Sequence, residues 1–292
     1  MYYTGFADEA SPDLDIQIKA TKELGWKFIE TRKIGDSSLA FMDDKAFDDV
    51  CRKLSESGVS FNCFGSAVAN WAKPITESPE SSYDEMRKAI PRMQKLGIKM
   101  ARIMSFAVTK ENRTKDFLDE VVKRLNVIVK MAEDAGIICV HENCMNWGSQ
   151  NYNNTLRILD RVKSPNFKLV FDTGNPVFSD DVRGNEPYKK QSAWEFYNAV
   201  KNHVIYVHIK DGKFKPDSGK ADYTFPGEGD GDVKKVLSDL FKRGYNGGIS
   251  IEPHMAVVFH EADNQDKKEQ LRVDNYIEYG RRIMKLVEEC KK

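Results

Sequence analysis

Hydrophobic and polar positions follow two periods that alternate from one end of the chain to the other. Short apolar runs bounded by Gly, Asn, Asp or Pro predict eight strands, at 3–6, 28–31, 59–64, 100–105, 137–142, 169–172, 204–210 and 248–252. Helical period is clearest at 117–135, where apolar residues recur every three or four positions before Gly136. A second helix is predicted at 14–24, with Ser11 as its N-cap, Pro12 at its first position and Gly25 after its end.

The joints from helix to strand share one pattern. In KELGWKFIE, AEDAGIICV and LFKRGYNGGISI, a charged helix end is followed by a glycine and then by a buried strand. Repeated joints of this kind build a parallel sheet with right-handed crossovers. Eight such units in 292 residues predict an α/β fold, a closed single-domain (β/α)₈ TIM barrel over residues 1–292.

The longest connecting segments lie at one end of this predicted barrel. The segments 65–82, 173–193, 211–231 and 253–270 all follow the carboxyl ends of strands. Barrel enzymes carry their sites at that face. We therefore expect the functional site there, with the segment 253–270 as either a lid or a dimer contact.

Composition excludes several classes of partner. The 45 Lys and Arg residues balance the 45 Asp and Glu residues, which removes the positive field that nonspecific nucleic-acid or membrane binding needs. Apolar stretches are too short to cross a bilayer, the five cysteines include no Cys-x-x-Cys, and MYYTGFADEA is not a signal peptide. We expect a soluble cytoplasmic protein that acts on a small molecule, with no nucleic-acid or membrane partner and a homo-oligomer left open.

Four polar residues end consecutive predicted strands, the fifth to the eighth: Glu142, Asp172, His208 and Glu252. Burying a carboxylate there costs several kcal/mol unless it is paired or bound to a cation. Taken singly, each acid is more typical of a helix N-cap or salt bridge, and the histidine of a core residue. Four such residues at equivalent strand ends predict a divalent metal site, with Mn²⁺ or Mg²⁺ first and Co²⁺ or Zn²⁺ as alternatives.

These motifs give the chain a family resemblance that covers nearly its whole length, from GFADEASPDLDIQIKATKELGWKFIETR to PGEGDGDVKKVLSDLFKRGYNGGISIEPH. It resembles the xylose isomerase-like barrels, the sugar phosphate isomerases and epimerases that include ketose 3-epimerases and inosose dehydratases. The resemblance implies that the four strand-end residues are metal ligands and that Glu142 and Glu252 double as the acid/base pair. It also implies that Lys210 and Asn175 face the substrate.

The chemistry of such a site agrees with these roles. Removing a proton from a carbon beside a ketone creates negative charge that a divalent cation stabilises. Two carboxylates on opposite sides of a sugar then allow epimerisation, and return of the proton to the adjacent carbon gives aldose–ketose isomerisation. We expect a metal-dependent epimerase or isomerase of a sugar or keto-polyol. The alternatives are a lyase or dehydratase of a keto-inositol or keto-sugar and, from another class, a non-catalytic sugar-binding barrel.

Two departures from the ketose 3-epimerase pattern affect the expected substrate. Those enzymes usually carry a second Glu a few residues after the position of Glu142, where this chain has Asn146, Trp147 and Gly148. They commonly carry a His at the position of Asn175. A nuclease of related fold is disfavoured. Such nucleases resemble trinuclear zinc enzymes, which need many more His and carboxylate ligands, and this chain has only five His. The acidic PGEG segment favours an unphosphorylated substrate.

Further candidates lie near the predicted site. Strand alternation turns Lys210 inward with His208, toward either a substrate oxygen or a neighbouring carboxylate. Glu30 and Arg32 end the second strand and are expected either to bind sugar hydroxyls or to pair with each other. Trp71 either covers the apolar face of a sugar or anchors its loop, and His254 is a candidate for supporting the site beside Glu252.

Overall fold

The computed structural model describes residues 1–255 and 265–292, with side chains in the second range described from residue 269 onward. The strands of the described residues are β1 (Tyr2–Gly5), β2 (Phe28–Thr31), β3 (Ser60–Gly65), β4 (Met100–Ile103), β5 (Ile138–Glu142), β6 (Phe167–Asp172), β7 (Val204–Ile209), β8 (Asp211–Lys215), β9 (Lys220–Thr224) and β10 (Gly248–Ile251). Eight of them form one parallel sheet in the order β1-β10-β7-β6-β5-β4-β3-β2. A parallel bridge between Phe6 and Glu30 joins its two edges, so the sheet is a nearly closed barrel.

The helices surround this barrel. They are α1 (Leu14–Glu23), α2 (Asp44–Ser57), α3 (Glu80–Leu96), α4 (Leu118–Asp134), α5 (Tyr152–Arg161), α6 (Asn175–Phe178), α7 (Ala193–Val200), α8 (Val233–Lys242) and α9 (Gln265–Cys290). The prediction of a single-domain (β/α)₈ TIM barrel is confirmed, and all eight predicted strands are present within two residues of their expected ends. Within the described residues, no helix combines the length and apolar character needed to cross a membrane.

The two predicted helices are α1 and α4, and one detail of the first was wrong. Gly25 ends α1 in the left-handed region as expected, with φ of 72°. The N-cap, however, is Asp13, whose carboxylate accepts hydrogen bonds from the backbone N–H groups of Asp15 and Ile16. Ser11 instead donates its hydroxyl to Glu269 on α9, so helix packing uses the side chain that the sequence pattern assigned to the cap.

The predicted loop at 211–231 contains an antiparallel hairpin, β8–β9, that the sequence reading missed. Its strands, DGKFK and KADYT, are short and charged, and they lack the apolar run by which the barrel strands were found. The hairpin carries Tyr223 to the mouth of the barrel. The predicted lid or dimer contact at 253–270 has its central part, 256–264, outside the described residues.

The core forms two layers, one inside the barrel and one between the barrel and the helices. Cys63, Val140, Val170 and Tyr206 form the inner cluster. Side chains alternate along a strand, so the residues two positions after Val140, Val170 and Tyr206 also point inward, one layer nearer the carboxyl end. Those residues are Glu142, Asp172 and His208. An apolar floor therefore lies directly beneath the predicted site.

Candidate active site

The structure brings the four predicted strand-end residues together. They come from the neighbouring strands β5, β6 and β7 and from the residue after β10, and all are buried. One ligand atom from each of Glu142, Asp172, His208 and Glu252 lies within 4.8 Å of the others. The register explains this convergence, because Asp172 pairs with His208 and Ser250 pairs with His208 from the other side.

His208 joins two carboxylates at the centre of the site. Its Nδ1 lies 2.8 Å from Glu142 Oε1, and its Nε2 lies 3.0 Å from Glu30 Oε2. Burial alone would lower the pKa of His208, but the charges of Glu30 and Glu142 raise it to about 10. The imidazole is therefore held in one orientation from both sides, with Nδ1 toward the four-residue cluster.

Glu30 lies beneath the site rather than in its wall. It is fully buried, and it accepts hydrogen bonds from Tyr206 Oη at 2.7 Å and Ser250 Oγ at 2.6 Å as well as contacting His208. The expected alternative of a Glu30–Arg32 pair is wrong. Glu30 and Arg32 are two positions apart, so both side chains point to the same face of the strand. They nevertheless diverge, because Glu30 contacts His208 whereas Arg32 extends to Glu252 at the mouth of the barrel.

Arg32 joins the first and last strands of the barrel. Its guanidinium lies 2.9 Å from Asp8 Oδ2, 3.3 Å from Glu9 Oε1 and 2.9 Å from Glu252 Oε1. It also covers the ring of Phe6. Arg32 also lines the cavity, and its binding of a sugar hydroxyl stays a prediction.

Lys210 makes the ion pairs that were one of its two expected roles, and it also lines the cavity. Its Nζ lies 2.8 Å from Glu252 Oε2 and 3.2 Å from Asp172 Oδ2. Burial would raise the pKa of Glu252, but Lys210, His254 and Arg32 hold it well below its usual value. Burial and the nearby charges of Glu252 and Glu142 raise the pKa of Asp172 to about 7, although Lys210 opposes that shift.

His254 flanks Glu252 in a strained backbone conformation. Its φ is +52°, a left-handed value that is unfavourable for a residue with a Cβ. Its Nδ1 lies 2.8 Å from Glu9 Oε1, its Nε2 lies 3.7 Å from Glu252 Oε1, and the ring packs edge-on against Tyr223. His254 therefore pairs with Glu9 and approaches Glu252, which lines the cavity.

Arg102 is a site residue that the sequence reading missed. It lies on β4, is buried, and places Nη1 3.4 Å from Glu142 Oε2. Its Nη2 donates to the carbonyl oxygens of Gly65 and Ser66, which fixes the guanidinium against β3. An arginine between the apolar residues of the MARIM strand was the available signal.

The four-residue cluster passes a test of fit for a divalent ion. Glu142 Oε2 and Asp172 Oδ2 are buried and accept no hydrogen bond from the described residues. Three carboxylates and one imidazole are a donor set suited to hard or borderline ions. The ammonium group of Lys210 now contacts carboxylate oxygens of Asp172 and Glu252. An ion bound to all four residues would compete with Lys210 for these oxygens.

The cluster opens into a cavity of about 610 Å³. Asn175 lines this cavity, and its Nδ2 is buried with no hydrogen-bond partner among the described residues, so it can donate to a substrate oxygen. Trp71 lines the outer part and is 56% exposed. Lys215, on the hairpin, pairs with Asp222 of the opposite strand.

The residues that replace the second Glu of ketose 3-epimerases hold the backbone. Asn146 is buried, accepts a hydrogen bond from Ser105 Oγ, and donates Nδ2 to the carbonyl oxygens of Glu142 and Cys144. Trp147 is also buried and donates Nε1 to the Lys115 carbonyl. Through these hydrogen bonds, both side chains fix the conformation of the loop after β5.

The glycine-bearing PGEG segment is already occupied by a carboxylate of the chain itself. Asp211 accepts hydrogen bonds from the backbone N–H groups of Gly227, Gly229 and Gly231 at 2.8–3.1 Å. A Cβ on Gly229 would lie 2.2 Å from Asp211 Oδ1, so glycine is required there. These amides cannot receive a phosphate without displacing Asp211, and the absence of a phosphate on the substrate stays a prediction.

Comparison with known proteins supports the resemblance found in the sequence. The family model described as xylose isomerase-like TIM barrel matches residues 18–274. An inosose dehydratase of Lactiplantibacillus plantarum is 28% identical over 147 residues, which cover 46% of each chain. The alignment therefore spans about half the length of that curated relative.

Solved structures match over the full length at lower identity. The crystal structure of the IOLI protein with a bound zinc atom has a TM-score of 0.72 and 17% identity, and the match covers 99% of both chains. A D-allulose 3-epimerase from a Methylomonas species, in complex with D-allulose, has a TM-score of 0.62 and 18% identity over 97% of this chain and 96% of that one. At these identities the likeness establishes the shared barrel fold.

Proposed function

Because this chain belongs to the xylose isomerase-like TIM barrel family, we propose that it is a divalent-metal-dependent epimerase or isomerase of a sugar or keto-polyol. One observation carries the proposal. Glu142 and Glu252 lie in one buried cluster with Asp172 and His208, with ligand atoms within 4.8 Å of one another, and both glutamates line the 610 Å³ cavity. Two carboxylates held in this way suit removal of a proton from one carbon and return of a proton to the same or the adjacent carbon.

The four residues of the cluster are proposed to hold the ion, with Mn²⁺ or Mg²⁺ expected first. When bound, a divalent ion supplies Lewis-acid stabilisation for the negative charge that develops beside a carbonyl. Supporting evidence is the pair of buried carboxylate oxygens without hydrogen bonds, and the zinc atom in the structure of similar fold.

Proton transfer and binding of substrate oxygens are proposed to be carried out by side chains of the chain itself. Glu252, held by Arg32 and Lys210, is proposed to act as one base, and Glu142, held by His208 and Arg102, as the other. Ion pairs lower the pKa of both carboxyl groups, which favours the charged form that removes a proton. Return of a proton to the opposite face requires the second carboxyl group to have taken up a proton from solvent, and the proton removed stays on the first. Lys210 and Asn175 are proposed to donate hydrogen bonds to substrate oxygens.

Dehydration of a keto-inositol or keto-sugar is the second candidate. In that reaction a base removes the proton beside the carbonyl, and a β-hydroxyl accepts a proton and leaves as water, which yields an enone. Elimination needs an acid near the base, and Lys210 and His254 both approach Glu252. The curated relatives named inosose dehydratase and the absence of the second epimerase Glu also favour this alternative.

One experiment tests the shared step and separates the two outcomes. Protein stripped with a chelator and reloaded with Mn²⁺, Mg²⁺, Co²⁺ or Zn²⁺ is incubated in D₂O with ketoses, keto-inositols and 3-keto-glycosides, and proton NMR follows the label. Deuterium beside a carbonyl, with an inverted or isomerised product, is the result expected. A product that absorbs in the ultraviolet would select the dehydratase. Ion binding without exchange in any substrate would contradict both and favour a sugar-binding barrel.

A further inference from the structure

Exposed apolar side chains are concentrated at the mouth of the active-site cavity. The exposed large hydrophobic residues of the described part of the chain are Phe41, Trp71, Val127, Met145 and Leu271. Three of these five, Phe41, Trp71 and Met145, line the cavity that contains Glu142 and Glu252. We name these three residues the apolar rim. Because scattered exposed apolar residues need no explanation but a cluster does, the apolar rim requires a physical account.

The loop that carries Trp71 is held by other groups, so the expected anchoring role of Trp71 is not needed to explain its conformation. Other groups hold the loop after β3: Glu85 accepts a hydrogen bond from the Ala67 N–H at 2.7 Å, and Ser82 Oγ accepts one from the Ala69 N–H at 3.0 Å. Lys73 Nζ adds an ion pair with Glu85 at 2.7 Å. The loop is fixed by these contacts while the Trp71 side chain remains 56% exposed.

The apolar rim is assembled from three separate loops. Phe41 follows β2, Trp71 follows β3 and Met145 follows β5, so no single stretch of sequence produces the patch. Phe41 is 53% exposed and Met145 is 65% exposed. Residues that the fold itself does not bury, and that three loops direct to one cavity, are suited to contact with a ligand.

The buried and the exposed lining of the cavity differ. The inner end, where Glu142 and Glu252 lie, is buried and charged, whereas the exposed lining consists of the apolar rim with Lys33, Asp36 and Ala67. The inner end presents charged and amide groups, among them Arg102, Lys210 and Asn175, which suit the hydroxyl and carbonyl oxygens of one polar ring. The cavity volume of about 610 Å³ lies within the range of small-molecule pockets. Hydroxyls gain little from an apolar wall, so the outer end fits a different part of the ligand.

We infer that the substrate is a glycoside: the keto ring that reacts carries a substituent with a flat apolar face, which packs on the apolar rim. This inference rests on the proposed function, whose reaction takes place at the inner end. An aromatic aglycone and the C–H face of a second sugar ring both present such a face, and both pack well against an indole. Free ketoses and free keto-inositols lack that contact.

Binding of unreactive glycosides tests the inference apart from catalysis. Phenyl β-D-glucopyranoside and methyl β-D-glucopyranoside differ only in the apolar face, and titration calorimetry measures the affinity of each for the protein. We expect the phenyl glycoside to bind about threefold to tenfold more tightly, the range that one aromatic contact supplies. Trp71→Ala should abolish that difference. Val127→Ala, which removes an exposed apolar side chain away from the cavity, should preserve it.

Turnover gives the second arm. The keto forms of the same two glycosides are compared by deuterium incorporation, and the ratio of their kcat/KM values should favour the phenyl compound and fall toward one in Trp71→Ala. Exchange at equal rates for both compounds would overturn the inference while leaving the proposed function intact. Absence of exchange together with preferential phenyl binding would contradict the proposed function but support the glycoside site.

A second copy of this chain is the competing occupant of the apolar rim. Sedimentation velocity of the wild-type protein and of Trp71→Ala distinguishes self-association from ligand binding at the apolar rim. A wild-type dimer that the substitution dissociates, with equal binding of both glycosides, would assign the apolar rim to self-association and overturn the inference. An oligomeric state that Trp71→Ala leaves unchanged, with selective loss of phenyl binding, supports it.

Discussion

The two halves of the barrel mouth differ in charge, in burial and in the elements that build them. The half formed by β5, β6, β7 and β10 supplies the four residues of the buried cluster, Glu142, Asp172, His208 and Glu252, from its strand ends. The half formed by β2, β3 and β4 supplies Arg32, Arg102 and, from its loops, the exposed Phe41 and Trp71. Strand register determines the positions in the first half, whereas loop conformation determines much of the second. We therefore propose that the first half carries the chemistry and that the second half, together with Met145 from the loop after β5, contacts the apolar part of the substrate.

The largest expected effect is on turnover in the acidic half. Glu252→Gln keeps the size of the side chain but removes its ability to accept a proton, so we expect deuterium exchange to slow by about 10²-fold to 10⁴-fold. The matched control is Glu228→Gln, at an exposed glutamate that pairs with Arg282 and does not line the cavity. Comparable loss in both variants would mean that the effect does not come from the acid/base role.

Metal affinity is expected to depend strongly on Asp172. Asp172→Asn removes one charged ligand from the four-residue cluster, and we expect Mn²⁺ to bind more than about 100-fold more weakly in calorimetric titrations. Asp160→Asn changes a highly exposed aspartate and serves as the control. Unchanged Mn²⁺ affinity in Asp172→Asn would exclude this cluster as the metal site.

A smaller effect on metal affinity is expected from Glu30, which contacts His208 but not the cavity. Glu30→Gln removes the charge that orients the imidazole from below, and we expect Mn²⁺ affinity to fall about 10-fold to 100-fold. Glu85→Gln is the matched control, because Glu85 is also a buried glutamate but pairs with Lys73 rather than with His208. Equal loss of affinity in both variants would indicate a general effect of removing a buried charge.

The smallest expected effect is on stability, in the apolar rim. Met145→Ala should change the free energy of unfolding by no more than about 0.5 kcal/mol, because the side chain is mostly exposed. Leu237→Ala, in the buried face of α8, should cost about 2–5 kcal/mol. Urea denaturation measures both. A large loss in Met145→Ala would show that the apolar rim belongs to the core, which would weaken its assignment to ligand binding.

Local sequence determined the barrel and most of the acidic half. Apolar runs located all eight barrel strands, and helix-end glycines marked the joints, because backbone conformation and period-two burial depend on neighbouring residues. The convergence of Glu142, Asp172, His208 and Glu252 could be predicted as well. Parallel strands bring their carboxyl ends to one edge whatever the details of packing.

Tertiary structure alone decided how the side chains around that cluster are paired. Nothing near Glu30 in the sequence indicates that it lies under His208, and Arg102, Asp211 and the apolar rim likewise acquire their contacts from residues remote along the chain. The direction of a long side chain depends on strand stagger and on which neighbours already fill the space. The periodicity of the sequence indicates neither the stagger of the strands nor which neighbours fill the space. The sequence therefore predicted which strand ends meet, and the folded barrel determined which side chains contact one another.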